Sequence, residues 1–304
     1  MYDGIINVYK EKGYTSFDVV ARLRGILKQK KIGHTGTLDP DAEGVLVICL
    51  GKATKLCEML TDKDKCYDAV LLLGKTTDTE DSSGKILAES EVNVTVDEVR
   101  EAVMSFVGEY DQIPPMYSAI KVNGKKLYEL ARQGVEIART PRRVTIHYID
   151  IKEIELPYVR FTVSCGKGTY IRSLCRDIGD KLSCGGIMDS LVRSSVNATD
   201  TGIRFDISDS LKLNKIENLV KSGDFEEYIL TIDKMFPNLI KVRVTCEGDK
   251  KLINGNVLYS QDFEDAVSMK NCKECLVYDS TGVFRAVYRY EGSLHGWKAY
   301  KVFI

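Results

Sequence analysis

Proline, histidine and tryptophan are scarce in this 304-residue chain, at six, three and one copies. So few histidines leave little material for the Ser-His-Asp constellations of hydrolases, and there is no H-E-x-x-H, paired-His spacing or G-x-S-x-G elbow. No segment approaches the roughly 18 consecutive apolar residues of a membrane-spanning helix. The opening MYDGIINVYKEKG lacks a basic n-region and a long apolar h-region, so a cytoplasmic protein without a secretion signal is expected. Nine cysteines are odd in number and mostly embedded in apolar segments, which reads as reduced thiols. Only Cys272 and Cys275 have metal-like spacing, and Cys246 and His295 supply no second knuckle, so no metal is expected there. An excess of one charge sign is missing too: 43 Lys plus Arg face 44 Asp plus Glu. With 44% hydrophobic and 29% charged residues, what remains is a globular chain of one large or two smaller domains.

Apolar patterning mixes strands and helices. Residues 4–9, 45–50 and 67–73 are strand-length apolar runs, and 144–155 and 158–165 are β-rich stretches split by Pro157. Ser16 is expected to cap a helix through Phe17, Val20, Leu23 and Leu27. Thr95 and Glu98 form a capping-box pattern ahead of Val99, Val103, Phe106 and Val107, up to Gly108. Ile171, Leu174, Cys175, Ile178 and Leu182 mark a third helix. Residues 114–143 are rich in Lys, Arg, Gly and Tyr with weak periodicity, an excursion from the core. After a polar, helix-prone stretch at 206–234, the tail from about 242 reads as a small all-β domain.

The densest unusual segment is GHTGTLDPDAEGVL, residues 33–46. Its glycines let a backbone approach a ligand closely. It is not a phosphate loop, because Gly51-Lys52-Ala53 lies too far from Gly44 and Ala53 replaces the magnesium-binding hydroxyl. Taken singly, Asp39 before Pro40 reads as a turn aspartate, Tyr67 as a core aromatic, Arg172 as a solvated helix arginine and His34 as a polar loop residue.

Together, GHTGTLDPDAEGVL, Lys65-Cys66-Tyr67, Gly74-Lys75-Thr76-Thr77-Asp78-Thr79, PPMYSAIK (114–121), CGKGTYIRSL (165–174) and Leu191-Val192-Arg193 resemble, in order, the motifs of the TruB family of tRNA pseudouridine synthases over roughly residues 3–197. One departure is Lys10-Glu11, where the family usually carries Lys-Pro, which puts the shape of that turn in doubt.

The resemblance implies an α+β pseudouridine synthase fold: a mixed, largely antiparallel sheet with flanking helices in a catalytic domain at 1–235. An RNA-gripping insertion would lie near 114–143, and a small C-terminal β-barrel resembling a PUA domain at 242–304. It implies a cofactor-free isomerase, acting as a monomer on uridine 55 of the tRNA T loop after flipping the base from its stack. Asp39 would be the nucleophile or assist glycal formation, Arg172 its ionic partner, and Tyr67 the aromatic that stacks on the uracil and takes part in proton transfer. His34, Tyr170, Leu191 and Lys10 would line the substrate site. Lys125, Lys126, Arg142 and Arg143 would meet the RNA backbone, and the C-terminal domain would reach the acceptor end. Two alternatives stay open: a non-catalytic tRNA-binding or folding module of the same fold, and a guide-RNA-dependent rRNA enzyme, against which the insertion argues.

The balanced charge at first opposes an RNA partner. Yet residues 10–31 and 121–143 each hold seven cations against two acids, offset by acidic stretches at 62–101 and 206–234. Local basic segments, not a general cationic surface, are expected to carry binding.

Overall fold

The computed structural model describes residues 1–122, 124–198 and 202–304; Asn123, inside the expected excursion, lies outside them. Strand β1 (Gly4–Lys10) leads into helix α1 (Ser16–Leu27). Thr15, not Ser16, is the cap: its hydroxyl accepts from Asp18 N at 3.0 Å, and the Asp18 carboxylate accepts from Thr15 N at 2.9 Å. Ser16 is buried and bonds elsewhere. Next come β2 (Ile32–His34), β3 (Glu43–Leu50), the short α2 (Cys57–Thr61) and β4 (Asp64–Leu73). A small hairpin, β5 (Lys75–Thr77) and β6 (Ile86–Glu89), precedes α3 (Val96–Met104), which carries the expected Thr95/Glu98 box. That helix stops earlier than the apolar spacing suggests, and Gly108, at φ +108°, opens β7 (Gly108–Gln112).

The excursion is partly structured. It forms a two-strand ribbon, β8 (Lys121–Val122) with β9 (Lys125–Lys126), and α4 (Leu127–Arg132). The long β10 (Arg142–Glu155) and β11 (Tyr158–Cys165) then pair across Pro157, followed by α5 (Ile171–Lys181), β12 (Gly186–Ala198), β13 (Ile203–Asp206) and α6 (Leu213–Ser222). The tail contributes β14 (Ile240–Arg243), α7 (Cys246–Ile253), β15 (Glu274–Tyr278), β16 (Phe284–Glu291) and β17 (Gly296–Val302).

Among the described residues the main sheet runs β1-β3-β12-β4-β11-β10-β7, with β2 on β3 and β13 on β12. All its pairings are antiparallel except β3 with β12, joined only at Val192–Glu43 and Arg193–Gly44. Gly44 is required at this crossing. Its φ is +102°, and a Cβ there would lie 2.3 Å from the Arg193 carbonyl oxygen.

Burial explains the apolar patterns. Along β4, Tyr67, Ala69, Leu71 and Leu73 alternate into one core shared with Val159, Phe161, Leu174 and Ile178. In β3 the run is continuous because both faces are covered: Leu46, Ile48 and Leu50 pack with α1 and α6, while Val45, Val47 and Cys49 share a core with Leu276, Val287 and Phe303 of the tail.

The tail departs from expectation twice. It is not all-β, since Thr245 caps the helix α7 through a bond from Gly248 N. Its strands form an open four-stranded sheet, β14-β15-β16-β17, and no closed barrel is present among the described residues. The intervening segment reaches both edges through single bridges only, Leu258 to Trp297 and Phe263 to Val244. The short runs around them are broken by 3₁₀ turns such as Ser260–Asp262, so a further ladder cannot propagate.

Candidate active site

The 33–46 segment leaves β2 and re-enters the sheet as β3, and its irregular middle is held from three sides. Ser16, at the start of α1, accepts the Leu38 amide at 2.9 Å, fixing the residue before Asp39. Gly13 N donates to the Pro40 carbonyl at 2.9 Å. Lys10, fully buried, donates to the carbonyls of Ala42, Pro40 and Glu11 at 2.6, 3.0 and 3.2 Å. Burial lowers its pKa to about 8, against the pull of nearby acids including Asp39. Lys10 therefore sits beneath the loop as its clamp instead of facing the open side.

Asp39 is gripped side-on by Arg172. The guanidinium Nε lies 2.9 Å from Oδ2, and Nη2 donates to Oδ1 at 3.2 Å, a bidentate fork. The two partners differ in exposure: the Asp39 side chain is 38% exposed and that of Arg172 5%, so one face of the carboxylate is open while its cation is enclosed. Crowding by protein pushes the Asp39 carboxyl above its usual range, and Arg172 pulls it back. Arg172 also donates to the Thr79 and Tyr117 carbonyls at 3.0 and 2.9 Å and lies 3.7 Å from Asp81. It thus ties the Asp39 loop to the loop after β5 and to the start of the excursion.

Tyr67 lies on β4, 7% exposed, in the core with Leu38 and Leu191. Burial pushes its phenol up to about 12, and the Arg193 guanidinium beside it opposes that rise. Tyr170 precedes α5, its backbone held by a pair of Gln112 bonds: its N–H donates to Oε1 at 2.8 Å and its carbonyl accepts from Nε2 at 3.1 Å. His34 takes a long bond from Gly36 N to Nδ1 at 3.4 Å. Its pKa is lowered first by burial and then by Arg193, so the ring is neutral at pH 7. Cys66 and Cys165 lie near Tyr67 and are buried, and burial pushes the Cys165 thiol up to about 12, away from reactive thiolate character.

Two residues here were not singled out from sequence. Arg193 is 2% exposed, donates from Nε to the Val45 carbonyl at 2.7 Å and from Nη2 to the Gly36 carbonyl at 3.2 Å, and stands opposite Tyr67 in the β12–β4 register. Its signal was a lone cation inside the strand run Leu191-Val192-Arg193-Ser194-Ser195-Val196. Gln112 had no signal, because the bonds that hold Tyr170 reach a backbone 58 positions away.

The four basic candidates lie on two elements. Lys125 and Lys126 are on the β8–β9 ribbon, where Lys126 stacks 5.2 Å from the Tyr128 ring. Arg142 and Arg143 open β10, and Arg143 is already paired with Asp111 at 3.2 Å.

Comparison with known proteins places the chain in a family. The family described as TruB family pseudouridylate synthase, N-terminal domain, matches residues 24–171. The chain is 54% identical to tRNA pseudouridine synthase B of Lachnoclostridium phytofermentans over 99% of its length and 100% of that protein. It is 50% identical to tRNA pseudouridine synthase B of Alkaliphilus oremlandii, covering 91% of this chain and 89% of the relative. A crystal structure of a Cbf5-Nop10-Gar1 complex is similar at a TM-score of 0.68 and 26% identity, over 99% of this chain and 85% of that one. With relatives matched over nearly the whole chain and the family's N-terminal domain matched at residues 24–171, the chain belongs to the TruB family of pseudouridylate synthases.

Proposed function

We propose that this chain isomerises uridine 55 in the T loop of tRNA to pseudouridine. The Asp39–Arg172 fork carries the reading, because it sets a cation against the crowding of the carboxylate while leaving one face open to a flipped nucleotide. In the reaction the N1–C1′ bond breaks, the base turns, a C5–C1′ bond forms, the C5 proton leaves and N1 takes up a proton. Asp39 attacks the sugar carbon or assists glycal formation, and either route separates cleavage from rejoining. Tyr67 stacks on the uracil as a neutral phenol. For it to take part in proton transfer a phenolate must be steadied as it forms, and Arg193 is beside it for that. His34, Tyr170 and Leu191 line the base pocket, while Lys10 acts through the loop it clamps.

Residues 1–235 would be the catalytic unit, with 114–143 gripping RNA through Lys125, Lys126, Arg142 and Arg143. The 242–304 unit, resembling a PUA domain in role though open as a sheet, would contact the acceptor end. The names of the relatives at 50% identity or more favour tRNA over a guide-RNA-dependent substrate. No cofactor is needed for this chemistry, and a cytoplasmic monomer is the form proposed.

The test is tritium release from a T-arm stem-loop labelled at uracil C5, with no other protein present. Wild type should turn over, and Asp39→Ala should bind the RNA without releasing tritium. Turnover by Asp39→Ala would overturn the assigned nucleophile, and binding without turnover by wild type would favour the non-catalytic module.

A further inference from the structure

Glu80 is a buried carboxylate that the chemistry above does not use. It is 8% exposed and lies between Thr79 and Asp81, both contacts of Arg172. Its φ of 63° is in the left-handed region, unusual for a residue with a long side chain. Both of its oxygens are engaged: Oε2 accepts from Ser173 Oγ at 2.7 Å, Oε1 accepts from Arg176, and Arg139 Nη1 lies 4.0 Å from Oε1. Ser173 follows Arg172 on α5, and Arg176 is one turn further on. The turn at 79–81 and the start of α5 are therefore joined twice, once through Arg172 and once through Glu80.

The same arginines hold the stem of the excursion. Arg176 Nη2 donates to the Ile113 carbonyl at 3.0 Å, and Arg139 Nη1 donates to the Pro114 carbonyl at 3.1 Å. Tyr117, just inside the excursion, returns its carbonyl to Arg172 at 2.9 Å. The start of the 114–143 segment thus meets the helix that presents Arg172, and Arg139, near its other end, reaches Pro114 and Glu80, with Glu80 at the junction.

We propose that Glu80 is a positioning residue that couples the seating of this RNA-gripping segment to the aim of Arg172 at Asp39. It acts through Ser173 and Arg176 and does not touch substrate. A bidentate fork tolerates little misplacement, so a loosened first turn of α5 would lower the chemical rate more than RNA affinity. The inference rests on the roles proposed above for Asp39 and Arg172. Wild-type turnover with an inactive Asp39→Ala establishes the role of Asp39 separately, and the shifted acid limb of Arg172→Lys establishes that of Arg172.

The experiment measures single-turnover rate, RNA dissociation constant and melting temperature on the T-arm stem-loop for Glu80→Ala, Glu80→Gln and Arg139→Ala. Glu80→Ala should lose about 30-fold or more in rate with affinity within about threefold. Glu80→Gln should recover most of the rate, because its amide oxygen still accepts from Arg176 while its NH2 donates to the Ser173 hydroxyl, which accepts as well as donates. Arg139→Ala should lose about fivefold in rate and make the excursion more sensitive to protease. A folded Glu80→Ala at the wild-type rate would overturn the coupling, as would a Glu80→Gln as slow as Glu80→Ala. If Glu80→Ala fails to fold, Arg139→Ala at the wild-type rate overturns it.

Discussion

Asp39 is under opposed influences: crowding favours its neutral acid and Arg172 favours the carboxylate, with crowding the larger. The proposed chemistry needs the charged form, so kcat/KM should fall as pH drops through a pKa above the ordinary carboxylate range. In Arg172→Lys the fork becomes a single point charge, less of the crowding is offset, and the acid limb should move to higher pH. A pH profile of both proteins checks this, and coincident limbs would contradict it. Tyr67 is the second case. Its phenol is held protonated by burial, so Tyr67→Phe should keep RNA affinity, because the stacking face remains, and lose on the order of 10²-fold or more in rate. Equal rates for the two proteins would confine Tyr67 to stacking.

At the level of elements, the site is assembled from ends: the exit of β2, the entry of β3, an early part of β4 and the start of α5. What keeps the loop between β2 and β3 in place is a few bonds from α1 and β1. Ser16→Ala would leave the buried Leu38 amide without its acceptor, a loss of about 1–3 kcal/mol. Its melting temperature should fall and its rate should fall with it, since Asp39 follows directly. A stability loss at an unchanged rate would show that Lys10 and Gly13 suffice to hold the loop.

Over the whole molecule, charge is segregated and the net value of −1 hides it. If Lys125, Lys126, Arg142 and Arg143 each displace one counterion, replacing all four by Gln should flatten the salt dependence of tRNA binding by about 3 logarithmic units per decade. The existing Arg143–Asp111 pair should reduce that figure. Binding titrations across salt concentrations decide it; an unchanged slope would place the phosphate contacts elsewhere. The tail is also more than an appendage, because Leu276, Val287 and Phe303 complete the core behind β3. Truncating it would expose that face.

The sequence by itself determined the elements and their chemistry. Strands along Val45–Leu50 and Tyr67–Leu73, the Thr95/Glu98 cap and the helix from Ile171 follow from periodicity and local bonding, which need no distant partner. Family resemblance supplied Asp39, Tyr67 and Arg172 as candidates. Local rules failed where a side chain answers to something remote. Ser16 turned from cap to anchor because Leu38 came within reach, and the tail acquired α7 because Thr245 could cap it. Tertiary structure alone decided that Lys10 lies under the loop, that Arg193 stands against Tyr67, and that Glu80 meets Ser173 across 93 positions. Each is a polar group whose burial is tolerable only with the right partners, and those partners are brought together by the sheet order, which no local pattern specifies.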